Sequence, residues 1–204
     1  MAIGTYSELK TAIAEFANRG DLTSQIPNFI ALTEASINRN LRHWRMETRT
    51  DLTIDEAFED VPTDWLETIR LGLKNGGALN LLSSQDMMKA KANTWDTGDP
   101  RYFCHTAGTF EFWPEPTAST GLAELLYYAK VPALSDAEPT NWLLAYSPDL
   151  YLYGALLQIA PYLGEDARLA VWGGLYADIL AGLNKESKAA KFSGPLIMRS
   201  RSNG

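Results

Sequence analysis

The sequence has little cysteine and little histidine. Cys104 is the sole cysteine among 204 residues, and His43 and His105 are the two histidines. A disulfide within the chain is therefore excluded, and a zinc site built from cysteine and histidine would lack ligands. We expect the protein to work without a cofactor or a metal.

The chain also lacks a long apolar run. Its most apolar window, residues 150–163, is shorter than a membrane-spanning helix and contains Gln158 and Pro161. The N-terminal sequence MAIGTYSELK has no apolar signal core. With 46% apolar and 21% charged residues, we expect a soluble, unexported domain with no membrane partner.

Positive charge is scarce in most of the chain. The net charge is −7, which argues against non-specific DNA binding because phosphate contacts require clustered lysine and arginine. From Lys185 to Gly204, however, five basic residues stand against Glu186 alone. The sequence therefore combines an acidic body with a basic tail.

Recognisable catalytic motifs are missing. The sequence has no GxSxG, no phosphate-binding glycine-rich loop and no HExxH. Cys104 and His105 are adjacent, and neighbours on a strand point to opposite faces, so an imidazole-activated thiol is disfavoured. The acidic run at residues 55–60 lacks the alternating acids and central glycine of a calcium loop, so we interpret it as a solvated loop.

One enzymatic alternative stays open. Acidic residues lie among aromatic residues in the middle of the chain, namely Asp96, Asp99, Glu111 and Glu115. A carboxylate-dependent hydrolase of a cell-wall or other polymer would use such a pair, with Glu111 and Glu115 as its candidate residues. Turns and cross-strand charges explain these side chains better, so we favour a protein that is not an enzyme.

Helical periodicity appears near the N-terminus. Thr5 and Glu8 form a capping box for a helix that ends at Gly20 and carries on one face Tyr6, Leu9, Ile13 and Phe16. A second helix is capped by Ser24 or Ile26 and has Pro27 in its first turn. It places Phe29, Ile30, Thr33, Ile37 and Leu41 inward, and Asn38, Arg39 and Arg42 outward.

The strongest pattern lies between Ser147 and Asn184 and predicts an antiparallel helical hairpin with a break at Gly164. Apolar residues recur at helical spacing in both halves: Leu152, Ala155, Leu156, Ile159 and Leu163, then Leu169, Trp172, Tyr176, Ile179 and Leu183.

The middle of the chain alternates with the period of a strand. RMETRTDLTI and WLETIRLGL predict strands, Asn75-Gly76-Gly77 a turn, and Ser83 to Lys91 a short helix. The runs in YFCHTAGTFEFWPEP and LAELLYYAKVP predict a three-stranded meander, with Leu122, Leu126 and Tyr128 on one face of its last strand.

These patterns predict a mainly α fold of the α+β class. A helical bundle from residues 1–44 and 141–184 carries a β-rich insertion at residues 45–132, and together they form a single domain at residues 1–184. Residues 185–204 are expected to be an extended basic C-terminal arm, since three consecutive large apolar residues near its end are unusual in a disordered tail.

Four motifs in this order carry a family resemblance: VPTDWLETIRLGLKNGGALNLLS, DPRYFCHTAGTFEFWPEP, LLYYAKVPALSD and NWLLAYSPDLYLYGALLQIAPYL. Their order and spacing over residues 5–184 resemble the head-tail adaptor (connector, or head-completion) proteins of tailed bacteriophages, especially the podovirus-like group. The resemblance implies a virion protein made in the host bacterial cytoplasm and placed at the head-tail junction. Another tail or capsid accessory protein of the same virion is the alternative.

The resemblance also implies partners. Such adaptors form a ring, usually of twelve copies, between the portal protein and a tail (nozzle or tube) protein, and genomic DNA passes through the ring without specific binding. Their C-terminal arms often reach onto the portal. In this chain the portal-binding residues of the arm would be Lys188, Lys191, Phe192, Leu196, Ile197, Met198, Arg199 and Arg201.

Overall fold

The computed structural model describes residues 3–93, 97–117, 121–163 and 167–191. The chain divides into two compact units, one made from residues 1–44 and 131–204 and the other from residues 45–130. The first unit is helical, and the second contains two small sheets and one helix. The fold is mainly α and of the α+β class, as the sequence predicts.

The helices of the described residues, numbered along the chain, are α1 (Tyr6–Ala17), α2 (Ile26–Asn40), α3 (Ser84–Asn93), α4 (Trp142–Tyr146), α5 (Pro148–Gln158), α6 (Ala160–Leu163) and α7 (Arg168–Lys191). Helix α3 belongs to the second unit and the others to the first. The predicted helix from Ser83 to Lys91 is confirmed, since Ser83 Oγ accepts the Asp86 N–H at 3.1 Å where α3 begins.

The capping box of α1 is confirmed. Thr5 Oγ1 accepts the Glu8 N–H at 3.3 Å, and the Glu8 carboxylate accepts the Thr5 N–H at 3.0 Å. The helix ends before the predicted Gly20, because Asn18 adopts the left-handed conformation at φ 54° and closes it. Phe16 was expected on the buried face but is 50% exposed, and Ala17 takes the buried position.

Helix α2 begins at Ile26, and Gln25 precedes it without a side-chain capping bond, so neither predicted capping residue fills that role. The predicted inward side chains are all buried, from Phe29 to Leu41. Asn38, expected outward, is half-buried because its Oδ1 accepts the Val131 N–H at 2.9 Å.

Helix α5 lies at the centre of the helical unit and packs against α1, α2 and α7. A Cβ atom on Gly154 would lie 2.4 Å from Thr33 Cγ2 on α2 and 3.0 Å from Tyr176 Cε2 on α7. The absence of a side chain at position 154 therefore allows both neighbouring helices to approach α5 closely.

The C-terminal hairpin is antiparallel. Gly154 of α5 faces Tyr176 of α7, and Leu157 lies closest to Gly173, so residue numbers run in opposite directions along the two helices. Helix α5 ends at Gln158 and the separate short helix α6 begins at Ala160, because Pro161 has no N–H to continue the hydrogen bonding of α5. The predicted break at Gly164 lies outside the described residues.

The strands are β1 (Glu47–Thr53), β2 (Phe58–Asp60), β3 (Trp65–Leu73), β4 (Asn80–Leu81), β5 (Tyr102–Thr106), β6 (Thr109–Trp113) and β7 (Leu122–Ala129). They form a three-stranded sheet in the order β1-β7-β3 and a four-stranded sheet in the order β2-β6-β5-β4. Both sheets contribute to one apolar core, whose fully buried residues include Leu71, Phe110, Phe112 and Leu125.

The predicted three-stranded meander is wrong in its last strand. Strands β5 and β6 form the expected hairpin, but β7 pairs antiparallel with β1 and β3 in the other sheet. Residues 114–121 separate β6 from β7, and this connection is longer than a usual hairpin loop, so it allows the chain to cross between sheets. Leu122, Leu126 and Tyr128 share a face, yet the fully buried face of β7 is formed by the alternate residues Ala123, Leu125, Tyr127 and Ala129.

Two shorter elements also differ from expectation. The acidic run contains the edge strand β2. This strand has three mostly exposed residues, so it is too short for apolar alternation to predict it. The turn at residues 75–77 is present, because Leu73 C=O accepts the Gly76 N–H at 3.1 Å. It is a hairpin turn, as predicted, since Ala78 pairs antiparallel with Gly72 of β3 and the Leu79 N–H donates to the Leu71 carbonyl at 2.8 Å. Beyond this short pairing, β4 pairs parallel with β5.

Candidate interaction surfaces

The end of α7 carries the first residues of the expected arm. Lys185, Lys188 and Lys191 are exposed, while Ser187 is 2% exposed and faces the helical unit. Residues 185–191 are therefore helical rather than extended, because one face still packs and most of these residues favour a helix. The other expected arm residues, Phe192, Leu196, Ile197, Met198, Arg199 and Arg201, lie outside the described residues.

Hydrogen bonds fix this helix end within its unit. Asn184 Oδ1 accepts the Arg42 N–H at 2.9 Å, and Asn184 Nδ2 donates to the Asn40 carbonyl at 3.2 Å. The Tyr146 hydroxyl of α4 donates to the Glu186 carboxylate. Helix α7 therefore presents its last turn from a defined position beside the end of α2.

The last turn of α7 is also a favourable electrostatic environment for its basic residues. Lys188 and Lys191 lie where the carbonyl groups at the end of a helix give a partial negative charge. Their charges stabilise the helix end, and their exposure leaves them accessible at the surface. The structure places these two candidate residues on one helix.

An aromatic cluster lies in the same unit. The buried His43 ring is stacked on Trp142 with centroids 5.5 Å apart, and it also contacts the rings of Trp44 at 5.6 Å and Tyr146 at 6.0 Å. Trp44 is 42% exposed and Tyr146 is 39% exposed. We call the surface formed by Trp44, Trp142 and Tyr146 the aromatic face.

Sequence reasoning missed the aromatic face because the fold brings together residues that are about a hundred positions apart. The sequence near Trp44 does contain a pattern that is typical of protein interfaces. Arg39, Arg42 and Trp44 stand close together in the sequence, and arginine and tryptophan are enriched at protein interfaces.

The candidate hydrolase residues have other contacts. Glu111 forms a salt bridge with Lys91 and accepts a hydrogen bond from Cys104 Sγ at 3.3 Å. Glu115 is exposed, and its backbone carbonyl accepts the Gly98 N–H at 2.9 Å. Asp96 lies outside the described residues. These contacts explain the two glutamates through pairing and loop structure, and nothing in their geometry favours catalysis.

Cys104 and His105 point to opposite faces of β5, as predicted. Cys104 is 1% exposed, and burial raises the pKa of its thiol. The exposed His105 ring is stacked on Trp65 at 4.4 Å. The imidazole therefore does not activate the thiol.

The acidic run offers little for a metal ion. Asp55, Glu56 and Asp60 are exposed, and burial is the main cause that raises the pKa of the Glu59 carboxyl. Among the described residues, no group of three histidine, cysteine, aspartate or glutamate side chains could hold a metal ion.

Two tyrosines have strongly raised pKa values within their units. Burial and the neighbouring Asp64 carboxylate, which accepts the Tyr127 hydroxyl at 2.9 Å, raise the pKa of Tyr127 to about 12. Burial also raises the pKa of Tyr151, whose hydroxyl accepts a hydrogen bond from Asn141. Both phenols are buried structural groups.

No helix within the described ranges is long and apolar enough to cross a membrane.

Comparison with known proteins gives one family match. The family described as SU10 adaptor protein matches residues 4–199. The match includes both compact units and continues past α7 to the arm residue Arg199. No curated protein matches the sequence.

Proposed function

This chain belongs to the SU10 adaptor protein family, and from that membership we propose that it forms a ring beneath the portal of a tailed bacteriophage. The family makes it a phage adaptor, a structural component of the virion. The ring joins the capsid to the tail at the head-tail junction and continues the DNA channel. We propose twelve copies in the ring, with the portal protein on one side and a tail protein on the other.

The anchored end of α7 is the observation that supports this proposal most directly. Asn184 and Glu186 hold the helix end to α2 and α4, and Lys188 and Lys191 follow within the next two turns. A fixed helix end gives the arm a defined starting point from which Phe192, Leu196, Ile197 and Met198 can anchor on the portal, with Lys188, Lys191, Arg199 and Arg201 contributing positive charge. The family match extends into this arm, which makes the arm part of the shared sequence pattern.

The negative charge of the body, residues 1–184, is compatible with a channel through which DNA passes. Its excess of carboxylates, within a net charge of −7 for the chain, disfavours binding to DNA phosphates. DNA that slides through the ring is therefore not retained. We assign the protein no catalytic residue.

Electron microscopy of the protein mixed with its portal tests the proposal. We predict that the full chain forms a ring on the narrow end of the portal, whereas a variant that ends at Lys191 loses most of its attachment. The variant with Lys188→Ala and Lys191→Ala should attach more weakly than the full chain. Unchanged attachment of both variants would refute the arm assignment, and a ring found on a tail tube instead of the portal would favour an accessory role.

A further inference from the structure

We propose that the aromatic face is the docking surface for a second copy of this chain, which presents to it the segment at residues 55–60. This inference rests on the ring proposed above and specifies the two surfaces that meet within it.

The aromatic face has the composition of an interface centre. Trp44 and Tyr146 are 42% and 39% exposed, although large aromatic side chains are usually covered. The buried His43 ring contacts both of them and stacks on Trp142, so the rings are held in place before a partner binds. Such preorganisation reduces the entropy lost on association.

Positive charge accompanies these rings in the same unit. Arg39 in the last turn of α2 and Lys185 on α7 are both exposed, against one carboxylate, Glu186, which accepts the Tyr146 hydroxyl. The Arg42 guanidinium donates to the carbonyls of Asn38 and Leu41, which orders the chain just before Trp44. A partner for this surface should therefore combine carboxylates with an apolar side chain.

The segment at residues 55–60 has that composition. Asp55, Glu56 and Asp60 are exposed, and Phe58 among them is 52% exposed. The segment includes β2, which lies at the edge of its sheet, so one side of the strand pairs with no other strand among the described residues. The Lys91 ammonium lies 5.7 Å from the centroid of the Phe58 ring, but the three exposed carboxylates of the segment outnumber this cation. The segment therefore complements the aromatic face and the exposed Arg39 and Lys185 of the same unit.

The two surfaces are different, so the contact is heterologous. Each copy uses its aromatic face toward one neighbour and its acidic segment toward the other. Repetition of this contact produces a ring when the rotation closes, whereas a contact between identical surfaces would stop at a dimer.

Cross-linking between cysteines tests the contact. A variant with both Ala145→Cys and Ala57→Cys places thiols beside Tyr146 and Phe58, and the native Cys104 is buried. With a short bismaleimide, the double variant should give a ladder of dimers, trimers and larger species. The matched control with Glu15→Cys and Ala57→Cys should give only background. A double variant that does not exceed this control, or that stops at dimers, overturns the proposal.

Charge reversal provides a second test on the same cross-linking pair. Arg39→Glu with Lys185→Glu, or Asp55→Lys with Asp60→Lys, should each reduce cross-linked product roughly tenfold, since two exposed ion pairs become repulsive. Mixing the two variants, or combining all four changes in one chain, should restore the product. Failure to restore it would refute the pairing of these surfaces.

Portal attachment distinguishes this inference from the adaptor proposal. Chains that carry either set of reversals keep the portal-binding residues of the arm, so if they attach to the portal while the cross-linking results contradict the prediction, the ring contact alone is misassigned and the adaptor proposal stands. If Trp44→Ala weakens attachment of the chain to the portal while the cross-linked ladder persists, the aromatic face contacts the portal and the proposed contact between copies is wrong.

Discussion

Gly154 is the position at which a single methyl group should disturb the helical unit most. A Cβ atom there would meet Thr33 Cγ2 at 2.4 Å and Tyr176 Cε2 at 3.0 Å, so α2 or α7 must move away from α5. We predict that Gly154→Ala lowers the free energy of unfolding by about 1–3 kcal/mol, the usual cost of overpacking. Urea unfolding measured by circular dichroism gives this value.

Gly174 provides the matched control on the neighbouring helix. Among the described residues, no atom outside its own helix backbone and the adjacent residues lies within 4 Å of a Cβ at this position. Because alanine favours a helix interior over glycine, Gly174→Ala should stabilise the protein by up to about 1 kcal/mol. A loss of stability at position 174 equal to that at position 154 would contradict the steric explanation.

Tyr127 should make stability depend on alkaline pH. Burial and the Asp64 carboxylate raise its pKa to about 12, whereas the unfolded phenol has a pKa of about 10. The folded state therefore holds this proton more tightly, so the contribution is fully present below pH 10 and is lost as pH rises toward 12.

The variant Tyr127→Phe isolates this effect. We predict that the wild type loses about 1 kcal/mol more stability than Tyr127→Phe between pH 9 and pH 11.5, a value reduced for partial solvent screening near the hydroxyl. Urea titrations at several pH values measure the difference. Parallel stability profiles for the two proteins would rule out Tyr127 as the cause.

At the scale of an element, the end of α7 depends on Asn184. Its side chain bonds to the Arg42 N–H and the Asn40 carbonyl, both near the end of α2. We predict that Asn184→Ala costs about 1 kcal/mol and speeds amide hydrogen exchange in the last two turns of α7. Asn28→Ala, which removes an exposed side-chain bond from α2 to the preceding Gln25, should leave exchange in α7 unchanged. Equal exchange in α7 of wild type and Asn184→Ala would show that these bonds do not hold the helix end.

Elements whose signals are local could be predicted well from the sequence. The capping box of α1 involves residues three apart, and β3 was predicted with its observed bounds because its alternation and the following turn are both local. The hairpin of α5 and α7 follows from apolar spacing for the same reason.

Elements that depend on distant partners could not be predicted in this way. Strand β7 has apolar residues on both faces, so alternation indicated a strand but could not select β1 and β3 as its neighbours. The aromatic face needs Trp44 and Trp142 to meet through the packing of His43, which no sequence pattern encodes. Local sequence patterns therefore predict most helices and strands, but not which of them pair or pack together.

At the scale of the whole molecule, the uneven charge connects the fold with the proposed role. The acidic run belongs to the unit at residues 45–130, while Lys185, Lys188 and Lys191 belong to the helical unit. Opposite charges at separate surfaces favour attraction between copies in one relative orientation and disfavour the reverse. The chain as a whole keeps a net charge of −7, which repels the phosphate groups of DNA.

The overall negative charge leads to a prediction about DNA. The full chain should not retard duplex DNA in an electrophoretic mobility assay at micromolar protein and about 0.15 M salt, because its net charge of −7 disfavours contact with the phosphates. The variant that ends at Lys191 serves as the control, since it lacks Arg199 and Arg201. Retardation by both proteins would show that the body binds DNA and would contradict a channel that lets DNA slide. Retardation by the full chain alone would instead assign DNA contacts to the arm.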